Sequence, residues 1–135
     1  MRIEKIWFDS DYIYGQDDNG VIYKQSLLWY PKLRAANDEQ RAQYSFGYDG
    51  IHWRNIDEDV SFESFGYEDA EPTAFQRFFL THKELDIAVL AKRVGISASQ
   101  LRKYINGFTR PTKETEQKLQ EAIRSIGQEY TAAVF

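Results

Sequence analysis

The chain has no cysteine, which excludes disulfides, thiolate zinc sites and cysteine nucleophiles and is compatible with a reducing cytosol. It has two histidines, His52 and His82, placed far apart and without a second histidine or a cysteine near either. No glycine-rich phosphate loop or nucleophile elbow accompanies them, so the sequence does not read as an enzyme and implies no cofactor and no metal. No apolar run reaches the roughly 18 residues that a membrane-spanning helix needs. The opening residues, MRIEKIWFDSDY, lack the apolar core of a signal peptide. A soluble, cytoplasmic protein is the expectation. What is present is 135 residues, 42% hydrophobic and 16% aromatic, enough for one ordinary domain or two small ones with compact cores.

Acidic residues are missing from one place in particular. The net charge of −4 by itself argues against a nucleic-acid partner, but residues 1–71 carry seven basic and fifteen acidic side chains, whereas residues 72–135 carry ten and six. From Ile87 to Lys113 there is no acid at all, while Lys92, Arg93, Arg102, Lys103, Arg110 and Lys113 all fall there. Such a stripe is the electrostatic footprint that phosphate binding requires. The asymmetry predicts two modules, residues 1–69 and 70–135, with different partners.

The basic run has helical periodicity broken by a turn. Asp86 reads as an N-cap, and Ile87, Leu90, Ala91 and Val94 share one helix face. Gly95 stops that helix, Ser97 with Gln100 reads as a capping box for a second, and Leu101, Tyr104 and Ile105 form its inward face. This run resembles the helix-turn-helix of the lambda-repressor and Cro-like DNA-binding proteins. Alanine stands at the motif's fifth place (Ala91), glycine at its ninth (Gly95), and apolar residues at its tenth, fifteenth and eighteenth (Ile96, Leu101, Tyr104). The Asn106-Gly107 ending and the Arg110-Pro111-Thr112 lead into a further helix match as well. One departure is Ile87, where the motif often has glutamine.

Before the motif, Phe75, Phe78 and Phe79 mark a first helix that packs over it, and after it Leu119, Ala122, Ile123 and Ile126 mark a last one, which either ends at Gly127 or is followed by a QEYTAAVF stretch that continues as helix or pairs with a partner chain. The first 67 residues alternate β runs with turn residues: 2–8, 12–14 and 21–23 around Asp17-Asp18-Asn19-Gly20, then 44–48 and 51–53 around Asp49-Gly50, and Val60, Phe62 and Phe65 form a last strand or a short closing element. Leu33, Ala36 and Gln40 indicate one short helix between them. WFDSDYIY, LLWYPKL with Arg41, and GIHWRNIDEDVSFESF resemble the bacterial family called domain of unknown function 2442. That resemblance implies a small domain with a mainly antiparallel sheet, no established activity, and a helix-turn-helix that often follows. The fold expected is therefore α+β: a small N-terminal sheet domain with one short helix, then an all-α repressor-like bundle.

The helix-turn-helix resemblance implies that helix 97–106 enters the major groove with Ala98, Ser99, Arg102, Lys103 and Asn106 toward base edges. Arg102 matches guanine bidentately, Asn106 matches adenine, and Lys92, Arg93, Arg110 and Lys113 serve as phosphate clamps. Expected partners are double-stranded DNA, a second copy of the chain in a homodimer, and a basic protein for the acidic module, which would make the whole an antitoxin-like autorepressor. The alternative is a protein-interaction module whose helix-turn-helix does not bind DNA.

Overall fold

The computed structural model describes residues 1–135, Asp69 by its backbone alone. The chain divides into two compact units, Met1–Thr73 and Ala74–Phe135. In the first, β1 (Ile3–Phe8), β2 (Tyr12–Asp17) and β3 (Ile22–Ser26) form an antiparallel meander in the order β1-β2-β3. After a 3-10 turn come two short helices, α1 (Pro31–Ala35) and α2 (Asp38–Ala42). A second antiparallel sheet follows, with β4 (Ser45–Phe46), β5 (Gly50–Trp53) and β6 (Glu58–Ser61) in the order β4-β5-β6.

The alternation read from the sequence decides what each strand buries. Ile3, Ile6 and Ile13 from the first sheet meet Leu27, Leu33, Ile51, Trp53, Val60, Phe62 and Phe65 in one core. Gly15 lies on the same face, and a Cβ there would come within 2.9 Å of the Phe65 ring, so only glycine lets that ring approach. Polar groups inside are paired: the Trp53 indole donates to the Arg41 carbonyl at 3.0 Å, Gln25 Nε2 to Ser64 Oγ at 2.7 Å, and the Tyr30 hydroxyl to Gln25 Oε1 at 2.7 Å. Among the described residues no buried side-chain nitrogen or oxygen lacks a partner.

Two expectations for this unit need correction. The single sheet is two three-stranded sheets. The single short helix is two, because Asn37 begins a new one: its side chain accepts from Gln40 N, and the Gln40 side chain accepts from Asn37 N, a complete capping box. Of the two forms open to the closing segment the chain takes both: β6 ends at Ser61, and Ser64 N and Ser64 Oγ both bond back to Ser61 and wind Phe62 and Phe65 into the core through a 3-10 turn. The Asp-rich loop after β2 is built on Asp17, whose carboxylate accepts from the Asn19 and Val21 amides and the Tyr23 hydroxyl. His52 pairs across β5 and β6 with Asp59 at 2.5 Å, a structural contact.

The second unit is all helical: α3 (Ala74–Thr81), α4 (Ile87–Val94), α5 (Ala98–Ile105) and α6 (Lys113–Thr131). Its centre is Phe79, Leu80, Leu90, Ala91, Leu101, Ile105 and Leu119. Of the α3 aromatics only Phe79 is fully buried, and Phe75 and Phe78 are less completely covered. Of the alternatives for its end α6 takes the longer, running through Gly127 to Thr131, since a glycine inside a helix costs only about 1 kcal/mol relative to alanine. Among the described residues no helix is long and apolar enough to cross a membrane.

Candidate nucleic-acid interface

Two capped helices and two left-handed glycines fix the geometry. The Asp86 carboxylate accepts from Val89 N at 3.1 Å to start α4, and Ser97 Oγ accepts from Gln100 N at 3.1 Å to start α5. Gly95 has φ 82°, which lets Ile96 N reach the Ala91 carbonyl (3.0 Å) while Gly95 N reaches that of Lys92 (3.2 Å). Gly107, at φ 81°, repeats the pattern: Phe108 N bonds the Lys103 carbonyl and Gly107 N that of Tyr104. The reciprocal half of the Ser97 capping box is absent, because Gln100 Nε2 instead donates to Thr109 Oγ1 at 3.4 Å. That hydrogen bond ties α5 to the loop before α6. At the crossing, Ala91 and Leu101 are fully buried, whereas Ile96 and Tyr104 are half-buried.

With Leu101 and Ile105 turned inward, helical spacing puts Ser99, Arg102, Lys103 and Asn106 outward. Arg102, Lys103 and Asn106 are exposed. Among the described residues, the side chains of Lys92, Arg102, Lys103, Arg110 and Lys113 make no hydrogen bond or ion pair within the chain. Arg93 differs: its Nη2 lies 2.8 Å from Glu129 Oε1 and 3.1 Å from Ser125 Oγ, binding α4 to the far end of α6. The hydrogen bond from Arg93 holds the Glu129 carboxyl below its ordinary range, and the same pairing raises Arg93 further.

The fold also assembles residues that the motif does not include. A cleft of about 260 Å3 between the end of α3 and α5 is lined by His82, Lys83, Leu85 and Ile87 together with Arg102 and Asn106. His82 stacks on Phe78 with centroids 4.4 Å apart, and its Nδ1 lies 2.8 Å from the Phe78 carbonyl. A carbonyl only accepts, so that nitrogen carries the proton. Phe108, beyond the end of α5, is 79% exposed. His82 and Lys83 lie too far from α5 in sequence for any local pattern to join them to it; the available signal is the helical period of α3, which carries its end toward α5.

Residues 79–125 match the family described as helix-turn-helix, and residues 3–70 match the one described as protein of unknown function (DUF2442). No curated protein and no solved structure gives a significant match. The second family spans half of the sequence and holds the entire core of the first unit, and with the helix-turn-helix built as above the chain belongs to the DUF2442 family of proteins of unknown function.

Proposed function

We propose that this protein is a sequence-specific DNA-binding regulator of transcription that reads the major groove with α5. The observation that carries the reading is the set Arg102, Lys103 and Asn106, exposed on one short, well-capped helix, the two cations without an intramolecular partner, inside a run free of acids. Arg102 is assigned to guanine, Asn106 to adenine, Lys103 and Ser99 to base or phosphate, and Ala98 to an apolar contact at the helix start. Lys92, Arg110 and Lys113 hold phosphates. We assign no phosphate to Arg93, whose guanidinium pairs with Glu129.

The protein works in the cytoplasm as a homodimer on a two-fold site. Its N-terminal unit, with seven basic and fifteen acidic residues over positions 1–71, is a contact module for a basic protein, which makes the whole an autorepressor of antitoxin type. Selection of bound sequences from random DNA by the full chain tests the reading. A common two-fold motif is expected, with a log–log salt slope of about −3 per copy for three phosphate clamps. Recovery of no enriched sequence, with no retardation of any fragment at low salt, would falsify it.

A further inference from the structure

The cleft of about 260 Å3 beside α5 is built by three successive segments. His82 and Lys83 follow α3, Ile87 opens α4, and Arg102 and Asn106, four residues apart, share one side of α5 and its cap. Its two cations, Lys83 and Arg102, face no acid. Glu84 and Asp86 belong to the same connecting segment, yet neither lines the cleft, and the Asp86 carboxylate is taken by Val89 N. Among the described residues neither cation makes a hydrogen bond or ion pair within the chain. Two like charges facing one hollow repel, and a single anion between them offsets that.

The other walls narrow the kind of anion. The Phe78 carbonyl holds His82 Nδ1 at 2.8 Å and the ring lies stacked on Phe78, so Nε2 is the ring nitrogen left to a ligand, a donor once the ring is protonated. Asn106 adds an amide donor. The floor is apolar: Phe79 and Ile105 are buried, and Leu85 and Ile87 are half-buried beside them. A bare inorganic anion leaves that apolar surface wet, and a neutral apolar molecule leaves the cations unanswered. We propose that the cleft binds a compact organic acid, one carboxylate on a small apolar body, and that the bound acid holds Arg102 and Asn106 away from DNA. The volume falls below the roughly 300–1,000 Å3 of sites that take drug-sized ligands, which limits the body to about one ring.

Only the second half of the inference rests on the reading of α5 as the helix that contacts DNA. Arg102 cannot meet a guanine edge and a carboxylate in the cleft at once. Acid and DNA therefore exclude each other, and by linkage each weakens the binding of the other by the same factor. At ten times its dissociation constant the acid weakens DNA binding about tenfold.

Benzoate is the probe. Titrated into the full chain without DNA and followed by NMR, it is expected to shift the side-chain signals of His82, Arg102 and Asn106 until they saturate, with a dissociation constant on the order of 1 mM for so small a molecule. Benzamide keeps the ring and loses the charge, whereas acetate keeps the charge and loses the ring. Each is expected to bind at least about tenfold more weakly. Lys83→Ala, at an exposed position without a partner, is expected to stay folded and to weaken benzoate about tenfold. Against the selected duplex, benzoate at ten times its dissociation constant is expected to lower the affinity about tenfold relative to chloride at equal ionic strength. Shifts that do not saturate, saturation at residues outside the cleft, benzamide or acetate binding as well as benzoate, or unchanged benzoate binding by Lys83→Ala would overturn the site. Equal duplex affinity in benzoate and chloride would overturn its link to DNA. The titration contains no DNA, so the failure of sequence-specific binding leaves its outcome unchanged.

Discussion

In the N-terminal unit Arg41 donates to the carbonyls of Leu33, Arg34 and Asp9 and lies 5.1 Å from the centroid of the Phe8 ring, Lys24 sits over Tyr12, Lys5 over Trp7, and Lys32 meets Asp57. In the C-terminal unit Lys92, Arg102, Lys103, Arg110 and Lys113 end without any such partner. The first unit uses cations to fasten loops and cover aromatic rings, so their removal costs structure. The second leaves these five unengaged, their full charge available to an external anion, while Arg93 pairs with Glu129 and Lys118 with Glu114. On the proposed function stability and binding are carried by different residues, and substitutions separate the two.

The largest effect belongs to Trp53, which is 1% exposed and donates to Arg41. Trp53→Ala is expected to cost about 3–5 kcal/mol of stability through the cavity it leaves and the orphaned Arg41 carbonyl. Every tryptophan lies in the first unit, so denaturation followed by the fluorescence of Trp7 and Trp29 reports that unit alone. A destabilisation below about 1 kcal/mol would mean that the core closes around the gap.

Arg102→Ala with Lys103→Ala is the opposite case. Unfolding followed by helical circular dichroism is expected to shift by no more than about 0.5 kcal/mol, since neither side chain bonds to the rest of the unit. Affinity for the selected DNA is expected to fall by roughly 1–3 kcal/mol for each base that goes unread. A variant that unfolds more readily and keeps its affinity would reverse the roles of the two units.

Two helix caps give a smaller and more discriminating contrast. Asn37→Ala removes both arms of a complete capping box, and Ser97→Ala removes the one arm that its box has. Destabilisations of about 1–2 and about 0.5–1 kcal/mol are expected, the first read by tryptophan fluorescence and the second by helical circular dichroism. Equal effects would show that the Gln40 arm adds nothing.

The same pair explains what the sequence does and does not disclose. Ser97 and Gln100 stand at capping-box spacing, yet Gln100 turns to Thr109, whose position depends on the Gly107 turn. Asn37 and Gln40 stand at the same spacing inside a segment whose periodicity suggests one continuous helix, and there the box closes and splits it. Local periodicity marks α3 to α6, the helix-turn-helix glycine and most strand starts, because those follow from backbone preferences and from one buried face. It does not disclose the separation of the two sheets, the tie from Arg93 to Glu129 or the approach of His82 and Lys83 to Arg102, all of which depend on distant segments meeting.

Two exposed carboxylates carry the comparison to its finest scale. Asp9 accepts from the Tyr14 hydroxyl at 2.6 Å and from the amides of Asp11 and Tyr12; the phenol contributes most to lowering its pKa. Glu129 is lowered by the hydrogen bond and charge of Arg93. Both groups have a folded pKa below the unfolded value, so each adds stability that is present above the ordinary carboxylate range and is lost as pH falls through the folded pKa, below about pH 4. Their response to salt differs. Neutral donors hold Asp9, whereas a full charge at the surface holds Glu129, and at about 1 M salt the screening length falls to roughly 3 Å. Carboxyl carbon shifts followed by NMR through an acid titration are therefore expected to keep the Asp9 pKa low at high salt and to return that of Glu129 toward its ordinary value. If both returned together, the Asp9 turn would depend on nearby Lys24, the remaining charge that lowers its pKa, and the N-terminal unit would resemble its partner in relying on exposed cations.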